Sequence, residues 1–341
     1  MKYVIEGTGV EGNFPDGEYA YLQIEQGNEL QTIDSVAVVG NAFTLKGEVE
    51  APYAAYVVVK DAGAERPEFY AEVYVEPAQI TIEEVAGERP SFKAVGGAMN
   101  DAMNAVNDKL AAIEAKMGEG DNSALEAEYY AALYDAIIAN GGNLLSQNIL
   151  RSNYYAFEPQ QVIDAIATIP AEAQESFANM KKSAEQALKV LPGNQYIDIT
   201  EEGTGEQPQT LTPDGKVLTL KSVVENKANK YVLIDFWASW CGPCMREVPY
   251  LVDTYKKYHN KGFEIYGVSL DKTKEPWMRA IENKGLAWVN VSNLQYWQEP
   301  AAALYGVGSI PSNFLIDSEG TIIARNLRGE QVAEKLAELL K

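Results

Sequence analysis

Apolar and polar positions along the chain fall into three successive textures. Residues 1 to about 94 carry short β-rich runs at 19–24, 35–39, 42–45 and 53–59. Turn-forming clusters separate them: Pro15-Asp16-Gly17, Gly27-Asn28, Gly40-Asn41 and Asp61-Ala62-Gly63. This punctuation predicts a small antiparallel β-domain over 1–94, built as a sandwich or barrel. From about 95 to 191 the apolar positions take helical spacing. Met99, Met103, Val106, Leu110 and Ile113 share one helical face, and Leu125, Tyr129, Leu133 and Ile137 share another. Helices are predicted over 100–117, 123–139, 143–152, 159–166 and 170–190, giving a helical segment. Leu191-Pro192-Gly193 breaks that pattern, and 201–208 is polar and loop-like. From 192 to 341 β and α patterns alternate, which predicts an α/β domain with helices on both faces of a sheet. Its strands are expected at 216–220, 231–236, 263–268, 313–317 and 321–325. Its helices are expected at 242–260, 274–284, 299–304 and 330–340.

Composition narrows the possible partners. The 341 residues are 46% hydrophobic and carry a formal net charge of −21. So acidic a chain is a poor partner for nucleic acid or an anionic membrane surface. No stretch approaches 18 consecutive apolar residues, so no transmembrane helix is expected. Met1-Lys2-Tyr3-Val4-Ile5 runs directly into strand-like sequence without the apolar stretch of a signal peptide. Residue usage alone leaves the compartment open.

Only two cysteines occur, Cys241 and Cys244, in Trp237-Ala238-Ser239-Trp240-Cys241-Gly242-Pro243-Cys244. They follow the apolar run 231–236 and open a predicted helix. A sulfur at a helix N-terminus meets free backbone N–H groups and the positive end of the helix dipole, which favour its thiolate. The second sulfur is within reach to close a disulfide. A structural zinc site needs four ligands, and His259 is the only histidine. Peroxide reduction of the peroxiredoxin type needs Thr or Ser three residues before the cysteine, where this chain has Ala238 and Cys241. The pair therefore reads as a thiol–disulfide redox site, with no metal and no organic cofactor.

Trp240-Cys241-Gly242-Pro243-Cys244 resembles the active-site segment of thioredoxin-fold proteins residue for residue. The last 150 residues resemble the TlpA/ResA-like thiol–disulfide oxidoreductases more than thioredoxin itself. Three features carry this: the lead-in 212–220, Cys244-Met245-Arg246-Glu247-Val248-Pro249, and an extra segment before Pro311. The whole chain is similar to an architecture of Gram-negative gut bacteria, with an N-terminal β-domain of unassigned role, a helical segment and a redox domain. Ile33-Asp34-Ser35, Gly96-Gly97-Ala98-Met99-Asn100-Asp101 and Arg325-Asn326-Leu327-Arg328-Gly329 carry that wider likeness. The three textures set domains at 1–94, 95–191 and 192–341, and the wider likeness implies a periplasmic or cell-envelope location.

The resemblance also implies roles. Cys241 attacks a substrate disulfide and Cys244 resolves the mixed disulfide. Gly242 and Pro243 tune the pair toward reduction, as in thioredoxin. Asp235, a charge within an apolar strand, matches the buried aspartate that takes the proton of the second cysteine. Thioredoxin's lysine neighbour of that aspartate falls on Gly267, so the tuning partner is missing or supplied from elsewhere. Pro311 is the cis-proline, exposing the backbone of Ile310 to substrate, and Trp240 offers apolar contact. Trp277, Trp288 and Trp297 lie in the extra segment, as core or as groove lining. The expected function is reduction of protein disulfides with electrons from an upstream thiol donor. A disulfide isomerase, an oxidant, and a binding protein with an accessory redox domain are the alternatives. The oligomeric state stays open.

Overall fold

The computed structural model describes residues 1–8, 14–27, 29–60, 69–85, 91–120, 122–199 and 211–340. The predicted turn at Asp61-Ala62-Gly63, Asn28 of the Gly27-Asn28 turn and the loop 201–208 lie outside the described residues. The chain divides into two compact units, Met1–Phe157 with Asp164–Gln174, and Glu158–Ile163 with Glu175–Lys341.

Among the described residues, the strands of the first unit form two four-stranded sheets. One runs β4 (Ala42–Glu48), β1 (Lys2–Thr8), β7 (Gln79–Val85), β8 (Ser91–Val95). The other runs β3 (Glu29–Ala37), β2 (Tyr19–Gln26), β5 (Tyr53–Lys60), β6 (Phe69–Val75). Alternating inward residues of both sheets, among them Ile5, Leu22, Leu45, Val57 and Ile80, make one buried core. The sandwich is mixed rather than wholly antiparallel, because β1 and β7 pair in parallel. A hairpin forces antiparallel pairing only on strands it joins directly. β7 follows β6 of the opposite sheet and is free to align with β1.

Helices α1 (Ala98–Glu114), α2 (Ser123–Ala139), α3 (Leu144–Asn153) and α4 (Pro159–Thr168) follow. The Gly96–Asp101 stretch is a strand-to-helix joint with a clear physical basis. Gly96 has φ +97°, and a Cβ there would meet the Gln79 carbonyl oxygen at 2.3 Å. Its N–H donates to Asp101 Oδ1 at 2.7 Å. The Asn100 carboxamide accepts from the Tyr74 N–H at 2.8 Å and donates to the Tyr74 carbonyl at 2.9 Å. It thereby satisfies backbone groups of β6 that a strand partner would otherwise take. The helix predicted over 170–190 is broken into α5 (Ala171–Gln174), a 3-10 turn at Glu175–Phe177 and α6 (Ala178–Lys189). Phe177 turns inward at the break and is buried.

The second unit is built on a five-stranded sheet ordered β11-β10-β9-β12-β13. Its strands are β9 (Tyr231–Trp237), β10 (Phe263–Ser269), β11 (Val289–Val291), β12 (Ser312–Asp317) and β13 (Ile322–Arg325). β9, β10 and β11 run parallel, β12 pairs antiparallel with β9, and β13 pairs antiparallel with β12. β9 is central and buried from Val232 onward, as a strand apolar at every position but Asp235 requires. The strand predicted at 216–220 does not form. Val217 makes only an isolated bridge to Leu211, and Leu220 opens α7 (Leu220–Val224). Thr219 Oγ1 caps that helix by accepting the Ser222 N–H at 2.9 Å. Helices α8 (Gly242–Tyr258), α9 (Lys274–Lys284), α10 (Pro300–Leu304) and α11 (Gln331–Leu339) complete the unit. None of the described helices is long and apolar enough to cross a membrane.

Gly306, after α10, has φ +62°, and a Cβ there would lie 2.6 Å from Ala187 N and Ser183 O of α6. Gly306→Ala is expected to destabilise the protein by about 2 kcal/mol or more. A urea titration checks this, and an unchanged midpoint would show that α6 and α10 separate freely.

Candidate active site

The redox segment lies where β9 hands over to α8. Cys241 is the N-cap of α8, and Pro243 sits in its first turn, where a missing N–H costs nothing. Cys241 and Cys244 are joined in a disulfide with an S–S distance of 2.03 Å. Cys241 Sγ accepts the Cys244 N–H at 3.1 Å, the position in which a helix N-terminus favours a thiolate once the disulfide is reduced. Both residues are buried, at 4% and 2% exposure. Exposure does not separate them; the N-cap position does.

The turn before the pair is held by a residue outside the motif. Asp271, buried just after β10, accepts from the Ser239 N–H at 3.0 Å and the Ser239 Oγ–H at 2.5 Å. Ser269 Oγ donates to it at 2.6 Å. This fixes the approach to Trp240, which is 46% exposed beside the disulfide, while Trp237 is core at 3%. Across the site the Ile310–Pro311 peptide bond is cis, and the Ile310 carbonyl oxygen lies 3.7 Å from Cys241 Sγ. α8 continues through Pro249 without interruption.

Asp235 points into the protein at 6% exposure. Burial pushes its carboxyl up to about 7; the Arg328 guanidinium pulls it down and Glu247 pushes it up. Gly267 is its partner on β10. A Cβ at Gly267 would lie 3.1 Å from Trp288 Nε1, 3.2 Å from Trp237 Nε1 and 3.3 Å from Asn290 Oδ1. Indole edges thus occupy the space a lysine side chain would need. The cation comes instead from Arg328, in the loop after β13. Its Nη2 donates to the Pro311 carbonyl at 2.5 Å, and its Nη1 to the Leu327 carbonyl at 3.0 Å. The neighbouring Gly329 N–H donates to Glu247 Oε2 at 2.7 Å. Asn313 pins the same loop, accepting from the Leu327 N–H and donating to its carbonyl. The Arg325–Gly329 stretch therefore supplies the charge next to Asp235 and a clamp on the cis-proline loop.

The structure brings Cys241, Cys244 and Ile310 together, with Pro311 in the cis bond to Ile310 and Gly242 and Pro243 in the turn between the cysteines. Trp240 adjoins Cys241 in sequence, and Asp235 is linked to the proline loop through Arg328. Arg328 and Asp271 were missed as site residues by sequence reading. Among the described residues, no group of three or more His, Cys, Asp or Glu side chains is placed to hold a metal ion.

Two families match separate parts of the chain. The AhpC/TSA family matches residues 193–325, and a family described as a domain of unknown function (DUF4369) matches residues 3–103. The thiol-disulfide oxidoreductase ResA of Bacillus thuringiensis (strain Al Hakam) is 34% identical over 139 residues, covering 40% of this chain and 75% of that protein. The chain belongs to the ResA-like thiol-disulfide oxidoreductase family. A second member, from Geobacillus thermodenitrificans, is 34% identical over 151 residues, covering 42% of this chain and 84% of its own. The crystal structure of the thioredoxin domain of a thiol-disulfide oxidoreductase from Bacteroides vulgatus is 30% identical. It aligns with 44% of this chain and 98% of its own, at a TM-score of 0.38. The ResA-like part has a thioredoxin-like fold and follows an all-β region and helices, as expected from the sequence. The protein is a thiol-disulfide oxidoreductase.

Proposed function

We propose that this oxidoreductase reduces disulfides of protein substrates through a dithiol–disulfide cycle of Cys241 and Cys244. The observation that carries it is the Cys241 sulfur, set between the N-terminus of α8 and the Ile310 carbonyl, with Asp235 buried in the strand that leads to it. In the reduced protein the Cys241 thiolate attacks one sulfur of the substrate disulfide and expels the other as a thiolate. Asp235 accepts the Cys244 proton, and the resulting thiolate attacks the Cys241 sulfur. That step releases the second substrate thiolate and closes the Cys241–Cys244 disulfide. Two electrons pass to substrate, and a dithiol donor restores the pair through the same exchange.

Arg328 is the positioning residue of this scheme: it lowers the Asp235 carboxyl and holds the Pro311 carbonyl. Ile310 and Trp240 contact the substrate segment, and Gly242-Pro243 sets the poise. The β-domain 1–94, the helical segment 95–191 and the redox domain 192–341 are proposed as the functional divisions. Periplasmic or cell-envelope location is proposed on the whole-chain resemblance described above.

The equilibrium reduction potential, titrated against dithiothreitol and glutathione buffers, tests the direction of electron flow. A value near thioredoxin's, about −270 mV, is expected. A value toward that of DsbA, about −120 mV, would make the protein an oxidant or isomerase.

A further inference from the structure

We propose that the segment 292–299 gives this enzyme a substrate subsite for an aromatic or branched aliphatic side chain next to the reacting cysteine. This inference rests on the oxidoreductase reading and adds a specificity to it. Three rings stand together at the site. Trp240 and Tyr296 have centroids 5.1 Å apart, Trp240 and Trp297 6.3 Å, and Tyr296 and Trp297 6.2 Å. Trp240 is 46% exposed and Trp297 39%. Crowding in the extra segment does not explain this exposure, because Trp277 and Trp288 of the same segment are buried at 2% and 7%.

The backbone is bent to present these rings. Leu294 and Tyr296 both have φ +57°, a left-handed conformation that side-chain-bearing residues rarely adopt. Glu299, fully buried, holds the bend by accepting from the Asn293 N–H at 3.1 Å and its Nδ2 at 2.9 Å. The base is tied to the sheet, with Ser292 Oγ donating to the Ser269 carbonyl at 2.8 Å. Lys272 Nζ lies 4.5 Å from the Tyr296 ring centroid, so one ring is already engaged by a cation. The exposed rings left to a substrate are those of Trp240 and Trp297.

The occupant follows from continuity with the disulfide. Trp240 immediately precedes Cys241, so a polypeptide whose sulfur reaches Cys241 lays its neighbouring residues over the three rings. Successive residues of an extended chain are about 3.3 Å apart. The three rings, 5.1–6.3 Å from one another, offer a surface for one large side chain, and because Trp240 adjoins Cys241 in sequence that side chain is placed one or two residues from the reacting cysteine. Packed aromatic anchors of this kind dominate recognition at protein interfaces.

The test uses the full-length chain, reduced with dithiothreitol and desalted. Two peptides in mixed disulfide with glutathione serve as probes, identical except for Trp or Gly beside the cysteine. Single-turnover second-order rate constants are measured for each. A Trp-to-Gly ratio of roughly 10 is expected for the wild type, falling to about 1 in Trp297→Ala and in Tyr296→Asn. Asparagine is chosen at 296 because it tolerates the left-handed backbone. Since the ratio is taken within each protein, a general loss of reactivity cancels. A wild-type ratio near 1, or a ratio that survives both substitutions, overturns the subsite alone. A wild type inert on both peptides overturns the oxidoreductase reading and the subsite with it.

Discussion

Cys241→Ser is expected to lower disulfide reduction to below about one-thousandth of wild type, whereas Cys244→Ser is expected to accumulate a stable mixed disulfide with substrate. The asymmetry comes from the helix start. Cys241 is the N-cap, and its sulfur receives the Cys244 N–H at 3.1 Å. Serine there keeps the cap and hydrogen bond but is a far weaker nucleophile, so the chemistry goes while the fold stays. With serine at 244, the first exchange proceeds and nothing expels the substrate from Cys241. Mass spectrometry after mixing with a disulfide peptide separates the two: an adduct on Cys244→Ser and none on Cys241→Ser. An adduct on Cys241→Ser in place of Cys244→Ser would reverse the assignment of attacking and resolving sulfurs.

The second large effect concerns Asp235. Burial raises its carboxyl to about 7 in the folded protein from the ordinary aspartate value of 3.8. Between those values the folded state keeps a proton that the unfolded state has lost. Stability therefore falls as pH rises from about 4 to about 7, and levels off above that. The full change corresponds to roughly 4 kcal/mol. Asp235→Asn, uncharged at every pH, is expected to match the oxidised wild type at pH 4 and to exceed it at pH 8. The same substitution should slow resolution by Cys244 about a hundredfold at pH 8. It should also remove the inflection near pH 7 from that step's rate profile. Thermal unfolding at the two pH values, with stopped-flow release of the second thiol, checks both. Wild-type stability flat from pH 4 to 8 would remove Asp235 as the buried base. Arg328→Met is expected to move the wild-type inflection upward, since it deletes the cation that lowers this carboxyl.

The redox centre was legible because its chemistry is contiguous. Trp240 to Cys244 are neighbours in sequence, and the apolar run before them could only be a buried strand leading to a helix. Asp235 was legible for a related reason: a lone carboxylate in a strand buried on both faces has no solvent to reach. The region after position 192 was read well wherever a long periodic run existed, as for α8 and β10. It was misread at 216–220, where Val217 makes one bridge and Thr219 caps a helix instead. A five-residue run of mixed apolar and polar character does not distinguish these outcomes. The parallel β1–β7 pairing was equally hidden, since pairing between strands far apart in sequence leaves no local pattern.

By itself the sequence determined the sulfur pair, its place at a helix N-terminus, the buried acid and the three successive textures. Each of these depends on residues close together in the chain, where spacing and burial pattern act directly. Tertiary structure alone decided which cation faces Asp235. Indole edges and Asn290 fill the Gly267 side of the strand, and Arg328 arrives from a loop more than ninety residues away along the chain. It also decided that Asp271 holds the turn before Trp240. Of three tryptophans in the extra segment, packing buried Trp277 and Trp288 and left Trp297 exposed beside the Trp240 ring. Identical side chains met different neighbours, and only the folded chain supplies those neighbours.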